Sequence, residues 1–354
     1  MPKQTLSLVH SLVTSVKNNL LPPINPDFSC LPGKSNSPAK PAFRSYREIS
    51  IERHKAEYQQ VAYVYELAPD TTKHGRLALL NDCRQGAYFA VNSENRSVRI
   101  ISNHCSLRWC PMCSASKGFF VTKSVTELLH RMKHPKLITL TLKHTSSPLA
   151  KQIEHLYSSF KRLRKMKPIK QKIAGGVWFF QVKRTKSTDE WHPHLHLLVD
   201  GEYIAQRYLS ELWRKASYGS FVVDIRPVKD KAKTAEYVAR YAVKPAMLSN
   251  YSLEHGVEIV KALHGRRICG TWGIGRGCCL SIPKAETEGS WYRVGNYRTV
   301  IELQNEDEYA RLIISAWKNN EQLPPKVDMS HVENCGSVAN PHAPPAVYQH
   351  TFFD

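Results

Sequence analysis

Ten consecutive residues, Trp191–Asp200, read WHPHLHLLVD. His192, His194 and His196 stand at alternate positions, and Leu195, Leu197 and Val199 take the other parity. A repeat of two belongs to a strand, where residues i and i+2 project to one side and i+1 to the other. The stretch therefore predicts a β-strand with imidazoles on one face and an apolar opposite face, ended by a turn at Gly201. Two neutral imidazoles two residues apart on one face can bind a single metal ion. The competing reading is a polar strand face whose histidines are hydrogen-bonded to neighbours. Three in register favour the metal.

Charge narrows the partners. Lys and Arg number 50 against 30 acidic residues, a formal charge of +20. Such an excess suits a polyanion, most simply nucleic acid, because each neutralised phosphate releases counterions. An anionic membrane surface is the competitor, but no apolar run is long enough to span a bilayer. The start, MPKQTLSLVHSLVTSVKNNLLPP, lacks a clean apolar segment and a small-residue cleavage site. A cytoplasmic protein is expected. The nine cysteines are clustered rather than spread as a disulfide framework, which fits a reducing compartment.

Cys105, Cys110 and Cys113 form C-x4-C-x2-C within CSLRWCPMC. A tight C-P-M-C turn would bring two thiolates to one ion, and zinc takes four ligands. Cys83, in the turn-like NDCRQG, is the best fourth ligand, with His104 as runner-up. Three buried thiols are the plainer alternative.

Residues 45–66 predict a helix, and Ala87–Val91 and Ser97–Ser102 short strands. A helix over Phe119–His134 precedes a strand at Lys136–Lys143 (KLITLTLK). Ser147 and Pro148 open a helix reaching about Lys167. Its end carries Lys161, Arg162, Arg164 and Lys165, which suit a solvated face and a phosphate-contacting one equally. Strands at Gly176–Arg184 and 192–200 predict a hairpin. A helix over Glu202–Ser217 and a strand over Ser220–Pro227 follow.

Lys229–Met247 lacks a helix breaker until Pro245. Tyr237, Tyr241 and Lys244 share one face of the predicted helix, whereas Glu236 points elsewhere. On spacing alone, two tyrosines are more often core than catalytic. The basic, glycine-bearing stretch 261–277, with Arg266 and Arg267, suits phosphate contact, but it is not a P-loop. A strand over Tyr297–Leu303 and a helix over Glu306–Lys318 close the ordered part.

A cysteine knuckle, a T-L-T strand, an H-P-H-x-H strand and a tyrosine helix ending in Lys thus stand in order. This order resembles the replication initiators of small rolling-circle plasmids, within the HUH endonucleases. The resemblance spans roughly residues 75–285 and rests on HPHLHLL, YVARYAVK, LITLTLK, CPMC and HGRRICGTWG. It implies a divalent metal, Mg or Mn, held by His194, His196 and Gln181, with His192 as the motif's outer histidine. It implies Tyr241 as nucleophile and Lys244 as its cationic neighbour. Many relatives carry Glu four residues before the nucleophile; here Tyr237 takes that position and Glu236 is displaced by one. The chain is in this respect similar to two-tyrosine proteins, the phage gene A proteins and some HUH transposases.

The expected fold is α+β: a central antiparallel sheet of about five strands with flanking helices, ferredoxin-like by resemblance, plus a small N-terminal zinc module. The expected organisation is a flexible tail (1–44), a helix and cysteine-rich zinc module (45–118), a nuclease domain (119–285), a strand-helix extension (286–321) and a second flexible tail (322–354). The expected activity is site-specific, metal-assisted nicking and closing of one DNA strand at a replication origin, with a host helicase and polymerase as partners. A transposase or relaxase using the same chemistry, and a non-enzymatic zinc-containing DNA-binding regulator, are the alternatives.

Overall fold

The computed structural model describes residues 43–68, 75–143, 145–185, 189–282 and 291–324. Nearly all of both expected tails lies outside these residues. The chain divides into two compact units.

Among the described residues, the first unit takes 43–50, Cys83–Asn103 and 291–324. Strand β1 (Tyr88–Asn92) pairs antiparallel with β2 (Val98–Ile101) and with β8 (Trp291–Asn296). Phe89 and Val91 bury one face against Val294, Tyr297, Ile313 and Ile314. The strand expected at Tyr297–Leu303 is a helix, Tyr297–Glu302, and the strand lies just before it. Tyr297 and Val300 are both buried and three residues apart, a helical spacing that the β-branched composition of the segment obscured. The single helix expected over 45–66 is two, Tyr46–Glu52 and α1 (Lys55–Leu67). Tyr46 belongs to the first unit's core, whereas Val61 and Val64 are wholly buried in α1.

The second unit holds an antiparallel sheet of order β6-β3-β5-β4-β7. Its strands are β3 (Pro135–Thr141), β4 (Ile173–Arg184), β5 (Trp191–Gly201), β6 (Val223–Pro227) and β7 (Cys269–Gly273). The histidine strand β5 is therefore central, and it pairs with β4 as the expected hairpin. A proline in a central strand normally forfeits a ladder bond. Here Pro193 lies one residue past the end of β3, which stops opposite His194. Its partner on the other side, Val182, donates its N–H to Pro245 O instead.

Helices cover both faces. On the histidine face, α2 (Pro111–Arg131) and α5 (Lys231–Val243) pack Val121, Val125, Leu128, Ala235, Val238 and Ala239 onto Val177, Phe179 and Leu198. On the other face, α3 (Leu149–Lys165) sets Tyr157 and Phe160 edge-on against Trp178, and α4 (Gln206–Ser217) lies beside α3. Leu128 is fully buried, so Leu128→Ala should cost about 2–5 kcal/mol, read as a lower urea midpoint with an unchanged slope.

Helix α2 starts eight residues earlier than its apolar periodicity suggested. Cys110 is its N-cap and Pro111 its first residue, the position where a missing N–H costs nothing. The Cys-Pro-Met-Cys segment is thus a helix start rather than a free-standing knuckle. No described helix is long and apolar enough to cross a membrane.

Candidate active site

Register aligns the site. His194 stands opposite Thr141 on β3 and Gln181 on β4; His196 stands opposite Thr139 and Phe179. Opposite residues of an antiparallel ladder share a face, so Gln181, His194 and His196 project together. The Gln181 Oε1 meets His194 Nε2 and lies 3.0 Å from His196 Nε2. His194 Nδ1 lies 3.0 Å from the His192 carbonyl. A carbonyl only accepts, so Nδ1 carries the proton and Nε2 keeps its lone pair. Thr139 Oγ1 contacts His196 Nδ1 at 3.3 Å. Both imidazoles are held from behind with Nε2 turned to the Gln181 oxygen, the orientation that neighbouring groups impose on metal-binding histidines.

Both histidines are buried. Burial holds the His194 pKa well below its ordinary value, helped by the neighbouring His196. Burial also lowers His196 to about 3, with the charges of Lys183 and Arg240 adding to the shift. Both rings are therefore neutral near pH 7. These three neutral groups, set this close together, could hold a cation. Imidazole nitrogen with an amide oxygen suits Mn as well as Mg.

Helix α5 carries the tyrosines to this point. Asp230 caps it, accepting from Lys233 N–H at 3.0 Å. It ends at Val243 because the residue before Pro245 is extended, as proline demands. The Tyr241 ring stacks on His196 with centroids 4.2 Å apart and planes 10° apart. Tyr237 meets both rings nearly perpendicularly, at 5.8 Å from His196 and 5.3 Å from Tyr241. Burial raises the Tyr241 pKa, as does Tyr237 through charge and a hydrogen bond; Arg240 and a hydrogen bond with Gln181 oppose the rise. Gln181 thus sets its oxygen against the two histidines, with the Tyr241 ring stacked beside them on His196.

Lys244 has a different partner. Its ammonium lies 3.7 Å from buried Glu57 of α1. Glu57 also accepts from the backbone N–H groups of Leu248 and Ser249. This arrangement ties the segment after α5 to α1. Glu236 makes no contact with the histidines or with Tyr241 among the described interactions. The His192 ring stands edge-on to His194 at 5.6 Å, beside the donor set.

Cys83, Cys105, Cys110 and Cys113 offer sulfur atoms that all lie within 4.8 Å of one another. Cys105 and Cys113 sulfurs are 3.7 Å apart. A tetrahedral zinc at about 2.3 Å from each sulfur would space them by about 3.8 Å. The four cysteines could therefore hold a metal such as zinc.

The histidines, the tyrosines and three of the four cysteines fall within residues 98–322, which match the family model described as replication protein. That is more than half of the chain. The chain belongs to the replication protein family. It is similar to proteins named Protein rep. One from Bacillus sp. is 28% identical over 185 residues, covering 48% of this chain and 60% of the relative. One from Streptococcus pneumoniae serotype 2 (strain D39 / NCTC 7466) is 24% identical over 208 residues, 52% and 65% of the two chains. One from Staphylococcus aureus is 24% identical over 188 residues, 48% and 82%. The match thus spans about 60% of the length of the Bacillus relative. No solved structure matches the chain.

In this replication protein the basic residues expected to contact DNA are placed unevenly. Lys161 and Lys165 are exposed. Arg162 donates to the Ala216 carbonyl and Ser159 and lies over the Tyr218 ring. Arg164 lies over Phe160, and Arg266 pairs with Glu154. Arg267 is exposed, and its carbonyl accepts from Tyr157. Thr139, Lys183, Arg240 and Glu57 were not singled out from the sequence. The period-two pattern could have found Thr139 and Lys183, since each follows a strand parity that leads to the histidine face. Glu57 carries no such signal.

Proposed function

We propose that this family member is a plasmid-type replication initiator of the HUH endonuclease class, with a ferredoxin-like catalytic unit. It nicks one strand of origin DNA through Tyr241 and later rejoins it. The observation that carries the reading is the Tyr241 ring stacked on His196, beside an amide oxygen that meets both histidines. A structural tyrosine needs no such neighbours.

The chemistry follows from these neighbours. His194, His196 and Gln181 would hold a divalent cation, which supplies positive charge to a non-bridging phosphate oxygen. Tyr241 oxygen attacks phosphorus in line; its O–P bond forms as the P–O3′ bond breaks. The phenol proton ends on the departing 3′ oxygen, leaving a 3′-OH primer and a 5′-phosphotyrosine. The covalent link preserves the bond energy for rejoining. Tyr237, held against Tyr241, takes a second junction while Tyr241 is loaded, so Glu236 has no hydrolytic part. The cysteine cluster holds structural zinc. A host helicase and polymerase extend the primer in the cytoplasm.

Supercoiled DNA carrying this gene and its flanks tests the reading. Protein with Mn should relax it to nicked circles, and chelation should stop the reaction. DNA binding without nicking supports the non-enzymatic regulator instead. The ligand set has its own test: Gln181→Leu should weaken Mn binding by on the order of 10–100-fold, as losses around a metal shell do. Calorimetry that finds unchanged affinity would exclude Gln181 from the shell.

A further inference from the structure

Lys244, the cation expected beside the nucleophile, is engaged with Glu57. The site as described is neutral: two imidazoles, an amide and two phenols. A phosphodiester brings a negative charge, and attack by Tyr241 places more on its equatorial oxygens. Something besides the metal must meet that charge.

Two other cations border the site. Lys183 lies on β4 two residues beyond Gln181, so both side chains leave the same face about 7 Å apart. Its register partner is His192. Lys183 is exposed, and among the described residues no hydrogen bond or ion pair holds its ammonium. Arg240 immediately precedes Tyr241. Its guanidinium carbon lies 5.1 Å from the centroid of the Tyr237 ring, the same ring that meets His196 and Tyr241 edge-on. Arg240 is exposed too, and no described carboxylate forms an ion pair with it. The two cations thus flank the histidine and tyrosine cluster, one from the strand and one from the helix.

We infer that Lys183 and Arg240 are a two-cation clamp for the scissile phosphodiester of single-stranded DNA. The inference rests on the nicking reading above and adds to it the residues that hold the phosphate. Arg240 offers a planar fork that matches two oxygens of one phosphate, and Lys183 offers a compact charge. Arg240 donates one long bond, 3.5 Å, from Nε to the Tyr237 carbonyl, but no described carboxylate neutralises either cation, so both charges are available to the substrate. Lys244 keeps the part its ion pair gives it, anchoring the end of α5.

Two measurements on the full chain separate this inference from its premise. The first is anisotropy of a fluorescein-labelled oligothymidine of about 20 nucleotides, longer than one single-strand site, with Mn across a range of salt. Lys183→Gln and Arg240→Gln should each flatten the dependence of log affinity on log salt by about 0.7, and the double variant by about 1.4. The second is the single-turnover rate of adduct formation on supercoiled DNA carrying the gene's own flanks. Each variant should lower it by about 100-fold or more, as loss of one oxyanion donor does, and Lys183→Arg should restore most of it. Both positions are exposed, and unchanged thermal melting will show the fold intact. Parental salt slopes together with parental rates in the double variant overturn the clamp and leave nicking standing. A parent that forms no adduct overturns the nicking reading, and the salt slopes then still decide whether the pair holds a phosphate.

Discussion

Tyr241→Phe is expected to abolish nicking, lowering the rate by at least about 1,000-fold, while single-stranded DNA and Mn bind as before. The substitution removes one oxygen and keeps the ring, so the stack on His196 at 4.2 Å survives. Only nucleophilicity is lost, and removal of a covalent nucleophile acts on the chemical step rather than on binding. Tyr237→Phe should behave differently. Tyr237 only raises the Tyr241 pKa, so its loss does not hinder the first cut; it removes the second nucleophile and so stops the second transfer. The adduct then accumulates instead of resolving. Equal loss in both variants would show that the phenols act as one unit. Equal activity in both would remove tyrosine from the mechanism.

Cys113→Ser should produce the largest loss of stability. Cys110 and Cys113 occupy the N-cap and first turn of α2, and α2 supplies Val121, Val125 and Leu128 to the core under the histidines. A structural zinc contributes about 10–16 kcal/mol of apparent binding free energy at pH 7, available only to the folded chain. Loss of one of its four ligands should lower the melting temperature by on the order of 10 °C or more, given about 2–4 °C per kcal/mol in a unit of this size. Elemental analysis should find one zinc per chain in the parent and much less in the variant. The helix that Cys110 caps also packs Val121, Val125 and Leu128 with Val238, Ala239 and Ala242 of α5. Loosening the cluster should therefore reach the end of the tyrosine helix and slow nicking as well. A metal-free parent that melts at the same temperature as the zinc-loaded one would contradict this.

Local periodicity made the histidine strand legible. Alternation over WHPHLHLLVD leaves one register that buries Leu195, Leu197 and Val199, and the structure has that strand at the centre of an antiparallel sheet. The i, i+4 tyrosines were equally legible as a helical pair, and the cysteine spacing as a metal-like cluster. Three features were not. The strand expected over Tyr297–Leu303 lies instead at Trp291–Asn296, and the expected stretch is helical, because Tyr, Thr, Val and Ile suit a strand by propensity and tertiary packing overrode it. The start of α2 was missed because the cysteines interrupt its apolar repeat. The partner of Lys244 could not be read at all. Glu57 sits 191 residues before Leu248, whose N–H it accepts, and no spacing rule relates positions so far apart. A motif named Lys244 as the nucleophile's cation; the fold gave that lysine a carboxylate and left Lys183 and Arg240 beside the tyrosines.

The measurement closest to the central claim is a peptide map of the covalent product. Protein, Mn and supercoiled DNA carrying the gene's flanking sequence are quenched in detergent, digested with nuclease and protease, and read by mass spectrometry. The account predicts one nucleotide-bearing peptide from α5, with the phosphate on Tyr241 and none formed when the metal is chelated. A phosphate on a residue outside Lys231–Val243, or nicked DNA with no linked peptide, would contradict it.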